Sequence, residues 1–265
     1  ITLANNARIT ANSSSSLTLT GNVALGGNTL DAGGLGSTTY TGVISNGAFT
    51  KTDTGTVTLG GTSANTFTGG LNINNGTLNL GKTAGVNAVG AGSTVTIGDN
   101  IGSASSANLV YQASNQMPDS TDLVINADGR LVMGTYTDSI SSIAGTGLID
   151  LGTTGVLTIG ADDSSSVYDG TITGSGTLVK DGTGSLTFTQ DISYTGTLEV
   201  GGGTLVLSGM DLTVTNLIIT ADTILDFSGL DPRIFATNFS FLSEDITLNI
   251  INWTKNADGF FATNW

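Results

Sequence analysis

A phrase of about forty residues occurs twice in this chain, half its length apart, and an echo of that kind constrains the fold more than any single residue does. Tyr40 opens YTGVISNGAFTKTDTGTVTLGG and Tyr168 opens YDGTITGSGTLVKDGTGSLTFTQ, which aligns Tyr40 with Tyr168, Lys51 with Lys180, Gly55 with Gly184 and Leu59 with Phe188. A second shared phrase follows, FTGGLNINNGTLNLG from Phe67 and YTGTLEVGGGTLVLSG from Tyr194, and the offset stays between 127 and 129 residues. One long unit has been duplicated. Inside each unit, short strands closed by Gly, Asn or Asp recur with a beat that signals a stacked solenoid rather than a closed globule.

The strands themselves are marked by apolar residues at every second position: Leu17 and Leu19, Val57 and Leu59, Leu71 and Ile73, Leu78 and Leu80, Val95 and Ile97, Leu157 and Ile159, Leu186 and Phe188, Leu205 and Leu207. Period two puts one face in and one face out. Turn formers such as Asn74-Asn75-Gly76, Asp128-Gly129, Asp181-Gly182 and Gly201-Gly202-Gly203 separate them, so strands recur every ~8 to 12 residues. Spacing alone fits a sandwich, a barrel or a parallel β-helix. The long repeat favours the β-helix, which grows by adding coils. At roughly 20 residues per coil the chain makes about a dozen coils, and ~4.8 Å between strands gives a rod about 60 Å long.

Composition excludes several function classes. Seven basic against twenty-one acidic residues give a net charge of −14, with no basic patch, so nucleic acid and anionic lipid are not expected partners. There is no Cys, hence no disulfide and no thiolate metal site. No run of about 18 apolar residues exists, so membrane insertion of this segment is not expected. The chain opens at Ile1 without a basic region followed by an apolar one, which places any export signal outside this sequence, and Asn264-Trp265 reads as an interrupted sequence.

Two stretches leave the beat. Residues 108–133 carry Pro118 and more large side chains, and read as a less regular coil, with a T-loop-like excursion as the alternative. From residue 225 Gly thins out and Phe and Trp concentrate, so residues 1–224 are expected to form the β-helix and 225–265 a capping or assembly segment that protects a solenoid end.

The order of motifs from Ser139 to Gly209 resembles the autotransporter-associated β-strand repeat of bacterial surface proteins. The G-T-G-x-x-D-L-G step at Gly145 to Gly152 comes first, then Y-x-G-x-I-x-G from Tyr168, K-x-G-x-G-x-L-T from Lys180, and Y-T-G-x-L-x-V-x-x-G-T-L from Tyr194. The stretch from Tyr40 to Gly81 carries the same steps. The resemblance implies an all-β, right-handed parallel β-helix, exported across a Gram-negative-type envelope and displayed at the cell surface or outside it. The C-terminal LNIINWTKNADGFF is similar to the closing segment of large repeat proteins of this kind. Membrane-barrel strands are lacking, which leaves the secretion and anchoring route open.

Parallel β-helices also build enzymes that cut acidic polysaccharides, so catalysis has to be tested against the residues. There is no His, which removes the commonest general base and metal ligand. Arg8, Arg130 and Arg233 are far apart in sequence and none adjoins an acidic cluster of the kind a lyase uses. Asp162-Asp163, with Asp169 nearby, is the best acidic candidate and reads as a solvated turn, with weak Ca²⁺ binding as its functional alternative; Glu244-Asp245 reads as a polar turn. Gly182-Thr183-Gly184 and Gly201 to Gly203 lack a phosphate-loop ending. Outward threonines such as Thr56 and Thr58, Thr94 and Thr96, and Thr171 and Thr173 could order water, but Thr is also the default exposed strand residue. Tyr111, Tyr136, Trp253 and Trp265 are the aromatics that could stack on a sugar, packing against a coil edge being the simpler role. The sequence therefore assigns no catalytic, cofactor-binding or metal-binding residue. It points to a non-enzymatic structural solenoid, a stiff spacer or filament subunit. Head-to-tail association would use the Ile1 to Ile9 edge and the Leu248 to Trp253 segment. The alternatives are an adhesin that binds surface glycans or matrix ligands and, third, a polysaccharide-active enzyme.

Overall fold

A computed structural model describes residues 1–255 and 257–264. Among these, every regular element is a strand and all strand pairing is parallel. Each coil visits three faces in turn. The first face is a twelve-stranded sheet that begins at Ala7–Ala11, passes through Ala48–Lys51, Leu71–Ile73 and Val95–Ile97, and ends at Leu248–Ile251. The second is an eight-stranded sheet from Ser16–Leu19 to Thr171–Thr173. The third begins as the pair Val23–Ala24 and Ile44–Ser45, then resumes at Thr137–Ile140 and runs to Gly259–Asn264. Twelve layers at about 4.8 Å give a rod of roughly 50 Å.

The period-two pattern translates directly into this geometry. Phe49 lies beside Leu71, Leu71 beside Val95, Val95 beside Leu123 and Leu123 beside Ile143, all pointing inward. Val57, Leu59, Leu186 and Phe188 are buried, as the alternation requires. One apolar cluster runs from Val23 to Phe239 without a break. Each fully buried Leu or Ile contributes about 1.5–3 kcal/mol, and each coil is stabilised chiefly by its two neighbours. The expected boundary at residue 224 falls within the strand Thr223–Asp226, which pairs with Gly203–Val206 on one side and Leu248–Ile251 on the other.

Two features depart from a uniform stack. The duplicated phrases do not occupy equivalent faces: Lys51 ends a strand of the first face, whereas Lys180 lies in Thr177–Asp181 of the third. Six layers along from Lys51 in the first-face column stands Phe188, one face further round than Lys180. The second copy is thus rotated by one face relative to the first. In addition, the third face lacks named strands across 62–70, 83–94 and 112–121. There a relay of side-chain and backbone hydrogen bonds takes the place of regular strands. Ile44 N–H donates to Asn65 Oδ1 at 2.9 Å, Asn65 Nδ2 to the Ala88 carbonyl at 2.7 Å, Ala88 N–H to the Gln116 carbonyl, and Gln116 N–H to Asp138 Oδ2 at 2.9 Å. Asn65, Gln116 and Asp138 are all buried, and such groups persist in a core only when hydrogen-bonded. The irregular stretch 108–133 accordingly holds three regular strands, Ala107–Tyr111, Asp122–Ile125 and Gly129–Val132, with one relay segment between the first two.

Candidate functional site

The acidic candidates accept hydrogen bonds from neighbouring backbone and hydroxyl groups. Asp162 Oδ1 accepts from Ser164 N–H, Asp163 Oδ1 from Thr183 N–H of the next coil, and Asp169 Oδ1 from the Thr189 hydroxyl. The Ser164 hydroxyl chiefly holds the Asp162 carboxyl below the usual range, and the Thr183 N–H chiefly holds that of Asp163 there. Ser166 belongs to the strand Ser166–Tyr168, and its Oγ accepts from Ile143 N–H. Glu244 and Asp245 form an exposed turn. Among the described residues no group of three or more His, Cys, Asp or Glu side chains is placed to hold a metal.

The arginines gain acidic neighbours that lie far away in sequence. Coil stacking brings Asp31 and Asp53 from the next two layers against Arg8, and Asp150 against Arg130. Asp31 Oδ1 also accepts from Thr52 Oγ1 at 2.6 Å, and Asp53 Oδ2 from Gly34 N–H at 2.7 Å. Separations of 23 and 45 residues hid the contact, because coil length varies from layer to layer. Arg8 and Asp53 are substantially exposed, so the pair contributes little to stability.

A set of residues that sequence reasoning missed lies inside the rod. Lys51, Lys82 and Lys180, three of the four lysines, are buried. The signal was present: each follows two residues after an inward Phe49, Leu80 or Leu178, and so has inward parity. Lys51 Nζ donates to the carbonyls of Thr52 at 2.6 Å, Asp53 at 2.6 Å and Asn75 at 2.9 Å. Lys180 Nζ donates to Asp181 at 2.7 Å and Gly182 at 2.8 Å, and Lys82 Nζ to Gly60 at 2.8 Å. In both copies of the repeat the ammonium therefore folds onto the carbonyls of the next two residues and closes a corner. This explains why the lysine accompanies the phrase although the phrase sits on different faces.

Burial pushes Lys51 down to about 8, against a partial opposing pull from Asp53 and Asp31, and lowers Lys82 and Lys180. A lysine whose folded pKa is depressed destabilises the fold while charged; that cost is fully present below about pH 8 and disappears as pH rises toward the unfolded value. Burial raises Tyr40, Tyr111, Tyr168 and Tyr194, whose contribution is present below about pH 10 and lost above it. The urea midpoint should therefore rise between about pH 7.5 and 9.5 and fall beyond about pH 10.5. A midpoint that only falls from about pH 7.5 upward, or a rise undiminished in Lys51→Met, would contradict this assignment.

The two ends of the rod carry the remaining candidate surface. The segments singled out for self-association are opposite edges of one sheet: Ala7–Ala11 is the first strand of the twelve and Leu248–Ile251 the last. At the far end Phe239, Leu248, Ile250, Trp253 and Phe260 line an apolar cleft of about 360 Å³. Trp253 is 44% exposed and meets Phe227 edge-on at 4.9 Å. Of the other aromatics considered for sugar stacking, Tyr111 is buried, Tyr136 is half-buried, and Trp265 lies outside the described residues.

Fold and repeat together define a parallel β-solenoid of about twelve turns whose corners are closed by a recurring motif. A family model described as the passenger-associated-transport-repeat matches residues 49–80 and 178–207, which contain both corner lysines of the duplicated phrase. The chain carries two such repeats, and with the solenoid around them it fits an autotransporter passenger-type repeat protein. No curated protein and no solved structure matches it. The repeat family implies a surface or secreted location in a Gram-negative bacterium.

Proposed function

We propose that this chain is a non-enzymatic, extracellular spacer of a bacterial surface, able to lengthen by head-to-tail association. The observation that carries the reading is the unbroken first-face ladder, whose end strands, among the described residues, both leave one row of backbone groups without a partner strand. Inward residues at the two edges are compatible: Ala7 and Ile9 at the start, Leu248 and Ile250 at the finish, all in strands of one direction. Stacking a second copy would extend the apolar column and bury Ile250, which is 42% exposed. Contacts of this heterologous kind propagate instead of closing. The fold and repeat are compatible with a role in which no bond is broken, and the acidic side chains considered for catalysis serve as turn caps.

Electron microscopy of the purified chain tests this. Straight rods whose lengths are multiples of one chain's stack are expected, shifting to longer multiples with concentration, and Ile250→Asp should restrict them to single rods. Single rods at every concentration would remove the assembly step, and bent or collapsed particles would remove the spacer.

A further inference from the structure

The interruption of the third face has a consequence on the outside of the rod. Where the relay segments 83–94 and 112–121 replace strands, the surface opens into a groove of about 690 Å³ lined by Gly85, Asn87, Asn115, Pro118, Asp119 and Ser120, with Met117 and Ser139 completing it. That volume lies within the range of ligand pockets. The floor is fixed. Asp138 accepts from Gln116 N–H, from Met117 N–H at 3.0 Å and from Ser139 N–H at 2.9 Å, and Gln116 Nε2 reaches the Ser114 carbonyl at 3.2 Å. Asn115 holds a left-handed backbone at φ 54°, a conformation that costs energy unless its surroundings enforce it.

The rim has the opposite character. On the repeating faces, outward amides bond to the neighbouring coil, as Asn79 does to Thr58 and Asn216 to Thr197. Asn87, Asn115, Asp119 and Ser120 instead line the groove from two successive layers, Asn115, Asp119 and Ser120 exposed and Asn87 half-buried, beside the half-buried Pro118. Amide donors, hydroxyl and carboxylate acceptors and a slender apolar strip, with no basic side chain among them, suit a neutral polyol and disfavour an anion.

We infer that this groove binds a neutral glycan chain laid across the coils. The site is separate from both ends of the rod, so its failure would leave the spacer reading standing. Isothermal titration with hexaoses of neutral glucan, mannan, xylan and galactan, and with hexagalacturonate as the acidic comparator, reads it directly. At least one neutral hexaose should bind, at least tenfold more weakly to the double variant Asn87→Ala/Asp119→Ala, and with unchanged affinity to Trp253→Ala. Neither altered side chain belongs to the relay that fixes the floor, so the melting temperature of the double variant should stay close to the parent's and certify the fold. The inference is overturned if no neutral hexaose binds at millimolar concentration, if the folded double variant keeps full affinity, if hexagalacturonate binds equally well, or if Trp253→Ala abolishes binding.

Discussion

Lys51→Met lowers the stability of the chain by about 3 kcal/mol in urea unfolding, while Lys255→Met, at an exposed position, changes it by less than about 0.5 kcal/mol. Methionine matches the length and apolar stem of the lysine but leaves the carbonyls of Thr52, Asp53 and Asn75 without their shared donor. Each buried group so stranded costs about 1–3 kcal/mol, which outweighs the desolvation relieved by removing the ammonium. Lys180→Met, with two carbonyls to strand, should lose less. The reverse order, or a stabilised Lys51→Met protein, would mean that the lysines are tolerated in the core and do not close the corners.

Gly76→Ala should be the more damaging change, at about 3–5 kcal/mol. Gly76 sits at φ +73°, and a Cβ there would fall on the carbonyl oxygens of Asp53 and Gly55 and within 2.7 Å of Lys51 Nζ. Backbone oxygens of the preceding coil cannot move aside without breaking the layer. Gly85, at φ +78° and with nothing within 4 Å of where a Cβ would stand, isolates the conformational part: Gly85→Ala should cost only about 1 kcal/mol. The difference between the two variants measures how tightly the corners stack. Equal losses would show that backbone conformation alone is at stake.

The direction of each side chain was legible in the sequence, since alternation fixes which residues of a strand face inward. Val57 and Leu59 needed no further information. The face on which a strand lies was not legible, because period two carries no record of rotation about the axis; Lys51 and Lys180 align in sequence yet belong to different sheets. Contacts between coils were hidden for a related reason. Phe49 pairs with a residue 22 positions on and Val95 with one 28 positions on, so Arg8, Asp31 and Asp53 could not be brought together by counting. Inward parity marks the buried lysines, each two residues after an inward Phe49, Leu80 or Leu178. The Asn65–Gln116–Asp138 relay carries no periodic signature at all and emerges only from the stack.

Successive coils stack in parallel at one fixed spacing, and the corners, the groove and the open ends all depend on it. Because the chain has no Cys, pairs of nitroxide labels can be placed without removing any native residue of that type. Ser16, Asn108, Leu148 and Thr171 share one outward column of the second face, four, six and seven layers from the first of them. Electron–electron distances from a label at Ser16 should centre near about 19, 29 and 34 Å, rising by about 4.8 Å per layer. Distances that fail to increase with layer number, or a Ser16 to Thr171 separation no longer than Ser16 to Asn108, would contradict the solenoid.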